Sequence, residues 1–83
     1  MSAIRGNKSE IANQNRLIVK EVRGEMAARG IIVPTMARRM GMSERNFYRA
    51  MNDPGRMTLT ELRKLAAELG WTAETGWRVL FGR

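Results

Sequence analysis

The chain has no cysteine and no histidine. Without cysteine there is no disulfide and no thiolate metal site. Without histidine the commonest general base and the commonest zinc ligand are missing as well. Only eight residues are acidic, and none form an obvious catalytic pair, so no enzymatic activity and no metal or other cofactor is expected. Internal repeats and low-complexity tracts are absent. No apolar run approaches the ~20 residues that span a bilayer, and the N-terminus lacks the apolar core of a signal peptide. A cytoplasmic protein without membrane association is the expectation.

What is present is charge of one sign. Fifteen Lys and Arg against eight Asp and Glu give a net charge of +7 on 83 residues. A positive excess of that size on a small chain favours a polyanionic partner, nucleic acid before an anionic membrane surface. Twelve of the cations are Arg, which suits bidentate contacts to phosphate or guanine, although codon bias in a GC-rich genome raises Arg over Lys too. With 43% hydrophobic residues the chain should fold rather than stay disordered. Its length allows one domain with a modest core and leaves no room for a separate effector or oligomerisation domain.

Residues 1–8 read as a flexible arm. Arg5 and Lys8 could follow a phosphate backbone or enter a minor groove, and a frayed terminus accounts for the same residues. From there to residue 83 the pattern is helical throughout. A first helix starts near Asn7 or Ser9, where Asn7 and Glu10 have capping-box spacing. Ile11, Ile18, Val22 and Met26 then recur on one face, Arg16, Lys20 and Arg23 lie opposite, and Gly30 is the stop. A second helix has Pro34 in its first turn, where the missing N–H is harmless. Its inner face is Met36, Ala37 and Met40, with Arg38 and Arg39 outside.

Gly41 offers the positive φ of a tight interhelical turn, Met42 plugs the corner, and Ser43 is a good N-cap for a third helix. Phe47, Ala50 and Met51 should face its core, leaving Glu44, Arg45, Tyr48, Arg49 and Asn52 outside. Asp53-Pro54-Gly55 ends that helix with strong turn chemistry. Thr58 and Glu61 form a second capping box, opening a helix striped with Leu59, Leu62, Leu65, Ala66 and Leu69 and stopped by Gly70. Trp71 lies just past that stop and is suited to completing the core. Thr72 can cap a fifth helix to about Phe81, which Gly76 weakens by up to about 1 kcal/mol relative to Ala. The Met-rich inner faces read as core filler, not as a ligand box. An all-α, compact four- to five-helix bundle is therefore expected.

Within it, residues 33–52 satisfy the demands of a helix-turn-helix. Ala37 is small where the third helix would cross the second, Gly41 turns the chain four residues later, and Phe47 anchors the crossing helix against that alanine. The outward side of helix 43–52 then offers hydrogen-bonding side chains to a major groove wide enough for one α-helix.

The same run carries a family likeness. Met36-Ala37, Met40-Gly41-Met42-Ser43, Phe47, Asn52 and Leu59-x-x-Leu62-x-x-Leu65-Ala66-x-x-Leu69-Gly70 resemble the Cro and lambda-type phage repressor (Xre) family. The likeness covers about residues 31–72, with a looser fit in the first helix and a positional one in the fifth. It implies a lambda repressor-like DNA-binding domain over residues 9–83. It also implies base reading by Glu44, Arg45 and Arg49, with Tyr48 beside them, and phosphate contact by Asn52. Thr35, Ser43, Asn46 and Arg56 are further candidate phosphate contacts. Two positions depart from the family. Val33 stands where the family often carries a Gln that touches phosphate and braces the reading helix. Glu44 can accept from cytosine N4 or simply stabilise the helix N-terminus through its dipole.

The resemblance further implies a sequence-specific regulator of transcription, of phage or prophage repressor type, acting on duplex DNA. It would bind a partly palindromic operator as a homodimer, at least on DNA, with no small-molecule effector. Trp77, Leu80 and Phe81 are the candidate dimer contacts, or else core residues of a small monomer. Two other functions remain open from sequence. One is an antitoxin that represses its own operon, and the other is a protein-interaction module that keeps only the helix-turn-helix shell.

Overall fold

The computed structural model describes residues 8–81. Arg5 and the proposed Asn7 cap lie outside the described residues, as does the side chain of Lys8. The expected all-α bundle is found: five α-helices and no strand among the described residues. They are α1 (Lys8–Arg29), α2 (Val33–Arg39), α3 (Glu44–Asn52), α4 (Leu59–Leu69) and α5 (Ala73–Phe81), with a 3-10 turn (Pro54–Arg56) between α3 and α4. None of these helices is long and apolar enough to cross a membrane.

Local chemistry explains where α3, α4 and α5 start. The backbone N–H of Asn46 donates to Ser43 Oγ at 3.1 Å, and that of Thr75 donates to Thr72 Oγ1 at 3.1 Å. At α4 both halves of the capping box are formed. Glu61 N–H donates to Thr58 Oγ1 at 3.0 Å, and Thr58 N–H donates to Glu61 Oε1 at 2.8 Å. Thr58→Ala should cost about 1 kcal/mol and lower the thermal midpoint by roughly 4–8 °C, with Thr58→Ser close to the parent. An unchanged midpoint for Thr58→Ala in a circular-dichroism melt would contradict the box.

Three helices stop in the same way. In α1, α2 and α4 a glycine in the left-handed region is followed by an apolar residue whose N–H reaches back five positions. Ile31 donates to Met26 O at 2.8 Å, Met42 to Ala37 O at 2.9 Å and Trp71 to Ala66 O at 2.9 Å. This closure satisfies carbonyls that a helix end leaves bare, and it presses the following apolar side chain against its own last turn. Ile31, Met42 and Trp71 are accordingly half-buried against the core. At Gly41, φ is +72°, so a Cβ there would be strained.

The core is one cluster drawn from every α-helix. Ile18, Val22 and Met26 enter from α1, Met36 and Ala37 from α2 with Met40 at its end, Phe47 and Met51 from α3, Leu65 and Leu69 from α4, and Val79 from α5. Each large side chain so buried stabilises the fold by roughly 1.5–3 kcal/mol relative to exposure. Two expected core residues are outside it. Ile11 is exposed, and the buried part of the α1 stripe begins at Ile18. Leu59 is 59% exposed, because it occupies the first position of α4, and the inner stripe begins one turn later at Leu62.

Two buried residues were not anticipated. Pro54, read as turn punctuation, is buried in a 3-10 turn that packs on α1 and α3. Val79 is the buried residue of α5, which packs on α1, while Trp77, Leu80 and Phe81 remain exposed. Ion pairs between Arg78 and Glu21 at 3.4 Å and between Arg39 and Glu68 at 3.9 Å link α5 to α1 and α2 to α4. Exposed pairs of this kind contribute at most about 1 kcal/mol, so apolar burial decides the fold.

Candidate nucleic-acid interface

The face of interest follows from how α3 is anchored. Its sequence, Glu-Arg-Asn-Phe-Tyr-Arg-Ala-Met-Asn, places Phe47 and Met51 one turn apart, and both are buried. They pack with Met36, Ala37 and Met40, so α3 lies across α2 with its inner side fully committed. Ala37 is buried at that crossing, where a larger side chain would hold the two helices apart. The turn between them is held by the Met42 hydrogen bond to Ala37 O.

What α3 turns outward is continuous and polar. Glu44, Arg45, Asn46, Tyr48, Arg49 and Asn52 are all exposed. Arg45, Tyr48, Arg49 and Asn52 fall at i, i+3, i+4 and i+7, so they share one face. Two guanidinium groups, an amide and a phenol thus project from a helix whose position is fixed by its buried side. Arg is a fork of five N–H donors and Asn offers both donors and acceptors. The Tyr48 ring meets Phe47 edge-on, with centroids 6.3 Å apart and planes at 76°, which ties its orientation to the core.

Shallow depressions flank this face, and they show which distant residues it recruits. At the start of α3, Ser43, Glu44 and Asn46 share one with Arg38 of α2 and Glu61 and Lys64 of α4. Lys64 Nζ lies over the turn, 3.8 Å from where a Cβ on Gly41 would stand. On another side, Asn46 and Arg49 line a depression with Asp53 and Arg56. On a third, Tyr48 adjoins Ile32, Val33 and Pro34, with Arg23 of α1 at the rim.

Of the residues singled out from sequence, Ser43, Glu44, Asn46, Arg49, Tyr48 and Arg56 are therefore gathered around α3, with Arg45 and Asn52 on its open face. Thr35 is half-buried on α2 and lines none of these three depressions. Arg23 and Lys64 had not been singled out. Arg23 lies on the charged face of α1, opposite its apolar stripe, and Lys64 lies more than twenty positions beyond the turn it covers. Only the packing of α1 and α4 around the helix pair brings them to its edges; spacing along the chain carries no trace of it.

The exposed side of α5 is a separate surface. Trp77 is 61% exposed, and its ring stacks on Phe81 at a centroid distance of 4.5 Å, tilted by 47°. Trp71, by contrast, packs against the core as expected.

A family model for the Cro/C1-type helix-turn-helix DNA-binding domain matches residues 21–74. The match takes in the last nine residues of α1, all of α2, α3 and α4, and the first two residues of α5. No curated protein and no solved structure matches the chain.

Proposed function

The chain belongs to the Cro/C1-type helix-turn-helix DNA-binding family, and from that membership we propose that it is a sequence-specific transcriptional regulator, a repressor of phage or prophage type, that reads the major groove with α3. The observation that supports this most is the division of α3 into two sides, with Phe47 and Met51 buried and Arg45, Tyr48, Arg49 and Asn52 open. A helix anchored on one side, with an exposed and largely hydrogen-bonding face on the other, is what a groove about 12 Å wide admits.

In this reading Arg45 and Arg49 each take guanine O6 and N7, and Glu44 either accepts from cytosine N4 or stabilises the start of α3. Ser43, Asn46, Asn52 and Arg56 hold phosphates, with Thr35 a more remote contact. Arg23 and Lys64 add cations at two edges of the reading face. With Val33 in place of a polar side chain, grip at that end passes to such neighbours. The protein acts in the cytoplasm, without an effector molecule. It binds as a homodimer whose α5 faces, built on Trp77, Leu80 and Phe81, meet across a two-fold axis. Half-sites about one helical turn apart follow from that symmetry.

Binding-site selection from random duplexes tests the whole reading. The expected product is a partly palindromic site, bound with an affinity that falls steeply as salt rises. Lys64→Ala and Arg56→Ala should each weaken every duplex alike and reduce the slope of log affinity against log salt by about one. Equal affinity for all duplexes, or binding indifferent to salt, would defeat the proposal.

A further inference from the structure

Tyr48 is the one aromatic on the open face of α3, and it does not stand alone. It is 50% exposed, and beside it lie Ile32, Val33 and Pro34 at the start of α2. Ile32 is 64% exposed. A hydrocarbon shelf of this kind at the edge of an otherwise polar and cationic face has little to gain from phosphate or water. In the major groove the apolar target is the C5-methyl group of a pyrimidine. The phenol ring meets Phe47 edge-on, and a Tyr side chain has few rotatable bonds to fix when it is presented to a methyl group.

We infer that Tyr48, backed by Ile32 and Val33, is a specificity-determining residue that reads the C5-methyl of thymine by apolar contact. The inference rests on α3 entering the major groove, as proposed above. Arg45 precedes Tyr48 by three positions, so their Cβ atoms are about 5–6 Å apart, one to two base steps at roughly 3.4 Å each. The thymine therefore lies within two steps of the guanine that Arg45 takes. The chain reads a guanine and a methyl-bearing pyrimidine together, the first by hydrogen bonds and the second by shape. Tyr48 is thus a reader in its own right, with its hydroxyl incidental.

Substituting deoxyuridine for thymidine removes that methyl and leaves every hydrogen-bonding group in place. The selected duplex is resynthesised with dT replaced by dU one position at a time, and affinities are measured by anisotropy. The expected result is a loss of about fourfold at one position per half-site, the size of one buried methyl group, and no loss elsewhere. Tyr48→Ala should abolish that difference between dT and dU. Tyr48→Phe should keep it, whatever happens to overall affinity. A duplex with 5-methylcytosine at the same position distinguishes the two sources of such a methyl. Tighter binding to it than to dT would identify methylated cytosine as the ligand and overturn thymine as the target.

The inference also fails if dU equals dT at every position, if the difference survives Tyr48→Ala, or if Tyr48→Phe removes it. In those cases selective binding to the parent duplex leaves the regulator reading intact. If no duplex is bound selectively at all, both fall together.

Discussion

Arg45→Ala combined with Arg49→Ala is expected to strip the protein of sequence preference while leaving it folded. Each bidentate contact from Arg to guanine is worth about 1–3 kcal/mol of discrimination. Losing two should lower affinity for the selected duplex by roughly thirty- to twenty-five-thousand-fold. The two side chains are one turn apart on α3, so their effects need not simply add. Affinity for a scrambled duplex should fall far less, because only the general attraction to phosphate is reduced. Both residues are exposed, and removing exposed side chains typically shifts stability by no more than about 0.5 kcal/mol. Parallel titrations with selected and scrambled duplexes at one salt concentration check this, alongside a thermal melt. A double variant that still prefers the selected duplex would mean that α3 is not the reading element.

Phe47→Ala should act through the opposite side of the same helix, and its effect should be on folding. A buried Phe truncated to Ala costs about 3–5 kcal/mol. A domain of this size has on the order of 4–12 kcal/mol in total. The thermal midpoint should therefore fall by about 15 °C or more, and a weakly stable parent would be largely unfolded at 37 °C. DNA binding should be lost in step with the folded fraction and return on cooling. Leu59→Ala is the control, since Leu59 is apolar but exposed on the first turn of α4 and should change stability by no more than about 0.5 kcal/mol. If Leu59→Ala proves as damaging as Phe47→Ala, the core has been drawn in the wrong place.

These two positions also mark what could be read before any coordinates. The inward side of α3 was legible because Phe47, Ala50 and Met51 recur at helical spacing between a Ser cap and an Asp-Pro-Gly turn. Helix ends were legible because Gly30, Gly41 and Gly70 need no partner elsewhere to stop a helix. Periodicity, however, states only which way a side chain points, not how far the neighbouring helix extends to cover it. Ile11 and Leu59 satisfy the stripe and still lie beyond the core's edge.

Val79 shows the converse. On α5, three large apolar residues at Trp77, Leu80 and Phe81 outweigh one valine in any count, yet the valine is the one that is buried. Which side of a short helix docks is decided by the surface awaiting it. The edge cations failed to show for the same reason. Arg23 and Lys64 flank α3 because α1 and α4 pack around the α2–α3 pair, a relation between distant segments that local spacing does not encode.

The two-sidedness of α3 has a consequence for how such a protein can change over time. The side chains that secure the helix and those that face outward are different sets, and the Tyr48 ring meets that of Phe47 edge-on. Positions 45 and 49, both exposed, can therefore be exchanged with little penalty in folding, so under the proposed reading a lineage could be re-addressed to new operators by a few substitutions. Position 48 is the exception. A change there removes an aromatic contact and, under the proposed reading, alters the readout at once, which would make it the slowest letter of the address to rewrite.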